Sequence, residues 1–174
     1  MHEKKLDRKP HDGRDDLVGE HKIGDTGQVI LFIIFFIVWI IDCFIYEFSD
    51  ILLQNISLFI RLPIALIVFI LAVYLAKASL KIIFDEVREI PQVINKGVYL
   101  YVRHPMYLAA ILLYLSFLII KLSLAALLVW LVTFIFYHFI ARYEEKLLLE
   151  RFGEEYETYK LKVSMWIPIF KKGN

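Results

Sequence analysis

Four apolar runs, set apart by polar segments, dominate the chain. The first covers residues 28–41 almost without interruption, and residues 42–48 prolong it with Asp42 and Glu47 among the apolar side chains. The second covers residues 62–76 and is joined by residues 58–60 across Arg61. The third and fourth, 105–120 and 122–140, are separated by Lys121 alone. A helix crosses the hydrocarbon core of a bilayer, roughly 30 Å, with about 20 residues. The first run reaches that length if Asp42 lies near an interface, the cheaper place for an acidic side chain. Pro63 falls near the start of the second run, where the first helical turn tolerates a proline. The third run has only 16 residues, or ~24 Å of helix, which is short for a full crossing. The pattern predicts an all-α membrane protein with about four transmembrane helices. The last two form a tight hairpin, with Lys121 snorkelling at its tip.

The polar segments carry their own information. Residues 1–27 hold six Lys/Arg and seven Asp/Glu together with Gly13, Gly19, Gly24 and Gly27, the composition of a loosely folded arm. Residues 142–162 are amphipathic. Leu148, Phe152, Tyr156, Tyr159 and Val163 follow one another at helical spacings of four, four, three and four, with Glu and Lys on the other face. Gly153 marks a break within this segment, which is expected on the membrane surface or against the loop before Arg103. The chain thus divides into an arm (1–27), two helices (28–80) and a core (81–174). Lys and Arg number six in the arm, five in residues 77–103 and seven from Arg142 onward, whereas the other two connections hold only Arg61 and Lys121. Four crossings put all three basic segments on one side. The positive-inside rule makes that side, and both termini, cytoplasmic.

Composition agrees with this reading. Apolar residues make up 59% of the chain, concentrated in the four runs. The net charge of +1 and the lack of a polybasic stretch give no footprint for nucleic acid. Cys43 is the single cysteine, so it forms no intrachain disulfide and no cysteine-based zinc site. No cleavable apolar segment precedes the first run, so that run itself is expected to direct insertion. Lys171 and Lys172 read as a solvated basic tail.

Two polar clusters stand where an apolar run meets the cytoplasmic face. One runs from Gly97 through Tyr99, Arg103, His104, Pro105 and Met106 to Tyr107; the other is Arg142-Tyr143-Glu144-Glu145. A tight hairpin brings its two feet, and so both clusters, together. Pro105 suits the first position of a helix, where its missing N–H matters least. The free N–H groups of that turn and the helix dipole favour an anion, and Arg103 and His104 stand beside it. Adjacent glutamates do not share a helix face, so one of Glu144 and Glu145 points inward, to bind a cation, an amine or a ribose or to act as a base. His138 is isolated in the last run, and the histidines have no metal-ligand spacing, so no metal is expected.

In order, Gly97-x-Tyr99, Arg103-His104-Pro105-x-Tyr107, an apolar hairpin, Glu144-Glu145 and Phe152-Gly153-x-x-Tyr156-x-x-Tyr159 resemble the isoprenylcysteine carboxyl methyltransferases and the related phospholipid methyltransferases. The resemblance covers residues 93–170. It implies an integral membrane enzyme that uses S-adenosylmethionine, held by Val93, Ile94, Tyr99, His104, Pro105, Met106, Tyr107 and Glu144. Arg103 and Glu145 are then the candidate catalytic pair. The acceptor implied is a lipid-like or prenylated molecule entering from the bilayer, methylated at the carboxyl of an isoprenylcysteine-like group or at the amine of a phospholipid. Four positions depart from the pattern: Ile140 replaces an arginine, Ala109 a glycine, and Ser164-Met165 a Pro-Arg pair. Sterol reductases share a similar Arg-His-x-x-Tyr hairpin, so an NADPH-dependent enzyme is an alternative reading, as is a non-catalytic scaffold.

Overall fold

The computed structural model describes residues 22–46, 56–84 and 92–168. The readings made on residues 1–21, Glu47 and the Lys171-Lys172 tail lie outside the described residues. Helix α1 (Lys22–Ile40) runs on into a π-helical segment, Ile41–Tyr46. Then follow α2 (Leu58–Phe84), a single 3-10 turn (Gly97–Leu100), α3 (Pro105–Ile120), α4 (Leu124–Phe152) and α5 (Glu154–Lys162). Among the described residues there is no strand, only a bridge between Val102 and Ser164. Thr26–Tyr46, Leu58–Ile83 and Leu124–Phe152 are long and apolar enough to cross a membrane, and Pro105–Ile120 is a shorter apolar helix. This is an integral membrane protein, all-helical in the described residues.

Two boundaries differ from the sequence pattern. Helix α2 begins at Leu58, which puts Pro63 in its second turn rather than its first. There the missing N–H leaves the Phe59 carbonyl without its helical partner. Helix α4 does not end with the apolar run at residue 140 but continues to Phe152. The added stretch is rich in Glu, Lys, Arg and Leu, all strong helix formers, and contains no breaker before Gly153. Gly153, at φ +52°, then ends α4 as expected. Beyond it, Tyr156, Tyr159 and Val163 pack with Leu148, Leu149 and Phe152 around Val93, so the apolar stripe of this segment covers the loop before Arg103.

The α3–α4 hairpin is closed by three residues, 121–123. Ser123 caps α4 by accepting the Ala126 N–H at 2.9 Å. The first two helices are part of the packing. Helix α3 lies along α2, and α1 lies along α4. Phe35, Trp39 and Cys43 join Ile111, Tyr114, Leu118, Ala126 and Tyr137 in the main core. Phe35 stacks on Tyr114 with ring centroids 4.7 Å apart. Gly27 sets the approach of α1 to α4: a Cβ there would stand 2.4 Å from the Phe136 ring.

Hydrogen bonds seal the hairpin tip. The Trp39 indole donates to the Lys121 carbonyl at 2.9 Å. The Arg61 guanidinium donates to the Ile120 carbonyl, also at 2.9 Å. The Lys121 ammonium does not simply reach for water. It donates to the Cys43 carbonyl and lies 4.9 Å from the Phe44 ring centroid. The π-helical segment turns Asp42 and Cys43 inward, where both are buried. Loose ends of helices have no water to bond in hydrocarbon, so neighbouring helices must supply the partners.

Candidate functional site

The feet of the hairpin are built by three segments. The first is the loop leading into α3. Gly97 opens it at φ +56°, a left-handed conformation that glycine adopts freely, and a Cβ there would also press on Ile82 at 2.6 Å. The second is the chain after α5, which pairs with that loop through the Arg103 N–H and the Ser164 carbonyl at 2.9 Å. The third is the last part of α4, with Glu144 and Glu145.

His104 caps α3 and Pro105 is its first residue. His104 is buried and lies between the two carboxylates. Its Nε2 is 3.3 Å from Glu145 Oε1, and its Nδ1 is 3.6 Å from Glu144 Oε2. The expectation that one glutamate would face inward and the other water therefore changes. Both meet the imidazole, because its two nitrogens span the angle between adjacent positions on α4. Glu145 is the deeper of the pair, with side-chain exposures of 3% for Glu145 and 17% for Glu144. Tyr107, one turn into α3, donates its hydroxyl to Glu144. Its ring stacks on His104 at 5.7 Å and on Tyr137 at 5.2 Å.

Arg103 is almost fully committed. Its Nε donates to Glu145 Oε1 at 2.7 Å, and its Nη1 donates to the Lys160 carbonyl at 3.2 Å and to the Val163 carbonyl. This one guanidinium ties α4 to the chain leaving α5. Burial pushes the His104 pKa below its ordinary value, although Glu145 pulls it the other way. Arg103 and His104 thus stand with two carboxylates, Glu144 and Glu145, in one cluster. Glu145 Oε2 is buried and has no hydrogen-bond partner among the described residues. An unmet buried acceptor of this kind costs about 1–3 kcal/mol, and more when charged, until a donor reaches it.

The structure thus joins five sequence-derived candidates, Arg103, His104, Tyr107, Glu144 and Glu145, in one connected cluster. Pro105 and Met106 form the adjoining helical turn, with Met106 exposed. Tyr99, Val93 and Ile94 lie in the strapped loop. The Tyr99 carbonyl accepts the Tyr159 hydroxyl at 2.7 Å. Val93 buries its side chain against α5, and its N–H faces Glu155 Oε1 at 3.4 Å. Burial raises the pKa of the Tyr156 and Tyr159 phenols, so both stay protonated donors.

Two residues at the feet were not legible as site residues. Trp166 lies beyond α5, its ring 6.1 Å from His104 and 5.7 Å from Phe134. Its indole N–H donates to His138 Nδ1 at 3.3 Å, so His138 is not isolated. No group of three or more His, Cys, Asp or Glu among the described residues could hold a metal ion.

A family model, phospholipid methyltransferase, matches residues 60–155, more than half of the chain. The matched stretch runs from α2 through both helices of the hairpin to the start of α5. The chain belongs to that family and is a membrane methyltransferase. No curated protein matches it.

Proposed function

We propose that this member of the phospholipid methyltransferase family takes its methyl group from S-adenosylmethionine and transfers it to the polar head of a lipid-like acceptor at the hairpin feet. One observation carries the reading: a buried carboxylate oxygen, Glu145 Oε2, with no hydrogen-bond partner among the described residues, stands in a two-glutamate cluster beside the N-terminus of α3. S-adenosylmethionine carries two cations and one carboxylate, and it supplies a methyl group already activated by the sulfonium. The residues at the feet fit that charge pattern. The positive end of the α3 dipole suits the carboxylate. Glu144 suits the ammonium. His104 positions the two glutamates, and the chain after α5 shields them from water. Alignment in a dry site is most of what methyl transfer asks of a protein.

The acceptor follows from what Arg103 is doing. The contacts of its Nε and Nη1 hold chain segments together. A pair of carboxylates beside a committed guanidinium suits an amine acceptor such as a phospholipid head. An ammonium must shed a proton before its lone pair attacks the methyl carbon. Neutral His104 and Glu144, 3.6 Å apart, are placed to receive it. Carboxyl methylation of an isoprenylcysteine-like group is the second reading. The ordered motif set from Gly97 to Tyr159 is compatible with it as well. The Lys/Arg excess in the three basic segments supports a cytoplasmic position for the feet, where a soluble donor has access.

The test is direct. The detergent-purified protein should bind S-adenosylmethionine, and not NADPH, in calorimetry. Glu144→Ala and His104→Ala should each abolish that binding while expression persists. Binding of NADPH alone, or normal donor binding by both variants, overturns the reading. Lipid extracts incubated with labelled donor then distinguish a methylated amine from a methyl ester.

A further inference from the structure

His138 stands on α4 seven residues before Glu145. Seven residues are nearly two turns, so the two share one helix stripe and lie about 10 Å apart along the axis. Phe134 and Ala141 fall on the same stripe. Trp166 covers it, with its ring 6.3 Å from His138. An indole N–H can only donate. Its bond to His138 Nδ1 therefore makes that nitrogen the acceptor and leaves the ring proton on Nε2. Nε2 makes no hydrogen bond to any described residue, and His138 is half-buried. On one side of it Tyr137 is buried against Tyr107; on the other, Phe139 is 68% exposed on the lipid-facing surface. So a fixed N–H donor stands at membrane depth, at the border between the site and the bilayer. A polar side chain within a span is costly unless it has a polar partner.

We propose that His138 binds the acceptor, donating from Nε2 to a phosphodiester oxygen of a phospholipid whose amine lies at Glu144 and Glu145. This rests on the reading of the feet as the site of methyl transfer. In such a lipid the phosphate is on the tail side of the amine. His138 lies on the corresponding side of Glu145, toward the middle of the span. Trp166 is then a positioning residue, because it fixes which imidazole nitrogen faces the lipid.

The test uses the full chain in maltoside micelles without methyl donor. Lysophosphatidylethanolamine is titrated in, and its affinity is read by calorimetry. His138→Phe keeps a ring under Trp166 but removes the donor, and should weaken binding about tenfold, the value of one hydrogen bond to a charged group. His138→Gln restores an N–H and should recover most of that loss. S-adenosylmethionine should bind both variants as it binds the parent, which separates this inference from the donor assignment. Equal affinity of parent and His138→Phe overturns the proposal. So does failure of glutamine to rescue, or a parent that binds N-acetyl-S-farnesylcysteine but no lysophospholipid.

Discussion

The two ends of the α3–α4 hairpin solve the same problem with different remainders. At the tip, Arg61, Lys121 and Trp39 donate to main-chain carbonyls that hydrocarbon would leave unmet. At the feet, Arg103 does the same for the carbonyls of Lys160 and Val163. The difference is in what is left over. Among the described residues, the tip keeps a buried donor without a partner, Arg61 Nε, and the feet keep a buried acceptor, Glu145 Oε2. The tip braces main-chain carbonyls, while the feet also gather two carboxylates, His104 and Arg103 beside a helix N-terminus. The same bracing device therefore does not by itself mark a candidate site; the groups gathered around it do.

The sharpest way to break this comparison is Arg103→Ala. Removing one partner of a buried charged pair costs about 3–5 kcal/mol, and here two carbonyls lose their donor as well. Unfolding in detergent should show that loss. The double variant Arg103→Met with Glu145→Leu should regain most of the stability yet bind no methyl donor. A single variant as stable as the parent would mean that the feet are not braced as described. Next comes Tyr107→Phe. It strips Glu144 of its hydroxyl donor, and should weaken donor binding about tenfold while changing stability little. At the tip, Trp39→Phe should lower stability by about 1 kcal/mol and leave donor binding untouched. If it disturbs the donor, the two ends are coupled and the contrast fails. The smallest effect concerns pH. Burial holds the His104 pKa below its ordinary value of 6.5. The unfolded chain therefore binds a proton that the folded one resists. Stability from this group is present above pH 6.5 and is lost as pH falls toward the lower folded value. Thermal melts of His104→Gln should show a flatter decline in that acidic range than the parent.

The sequence made the feet readable because their signals are local. A proline after Arg103-His104, paired glutamates and a glycine break each act within a turn or two. The hairpin connection was readable for the same reason, since one lysine interrupts two apolar runs. The roles of α1 and α2 were not. In a bilayer the lipid is as apolar as the core, so hydrophobic spacing does not separate a packed face from a lipid-facing one. Phe35 and Ile34 look alike in the sequence, yet Phe35 is fully buried and Ile34 is exposed. His138 was hidden by distance: its partner Trp166 is 28 residues away, beyond a helix end that had to be placed first.

Helix α3 has 16 residues. It is therefore about a turn shorter than a typical hydrocarbon core. A bilayer answers such a mismatch by thinning around the short element, at a fraction of a kcal/mol per Å. The leaflet surface is drawn down toward His104 and Glu145 rather than the protein rising to meet it. On the function proposed above, a lipid acceptor then reaches the polar cluster by lateral diffusion, its tails never leaving the hydrocarbon. Membrane thickness, set by chain length and sterol content, is on that reading a lever on how readily the acceptor meets the cluster.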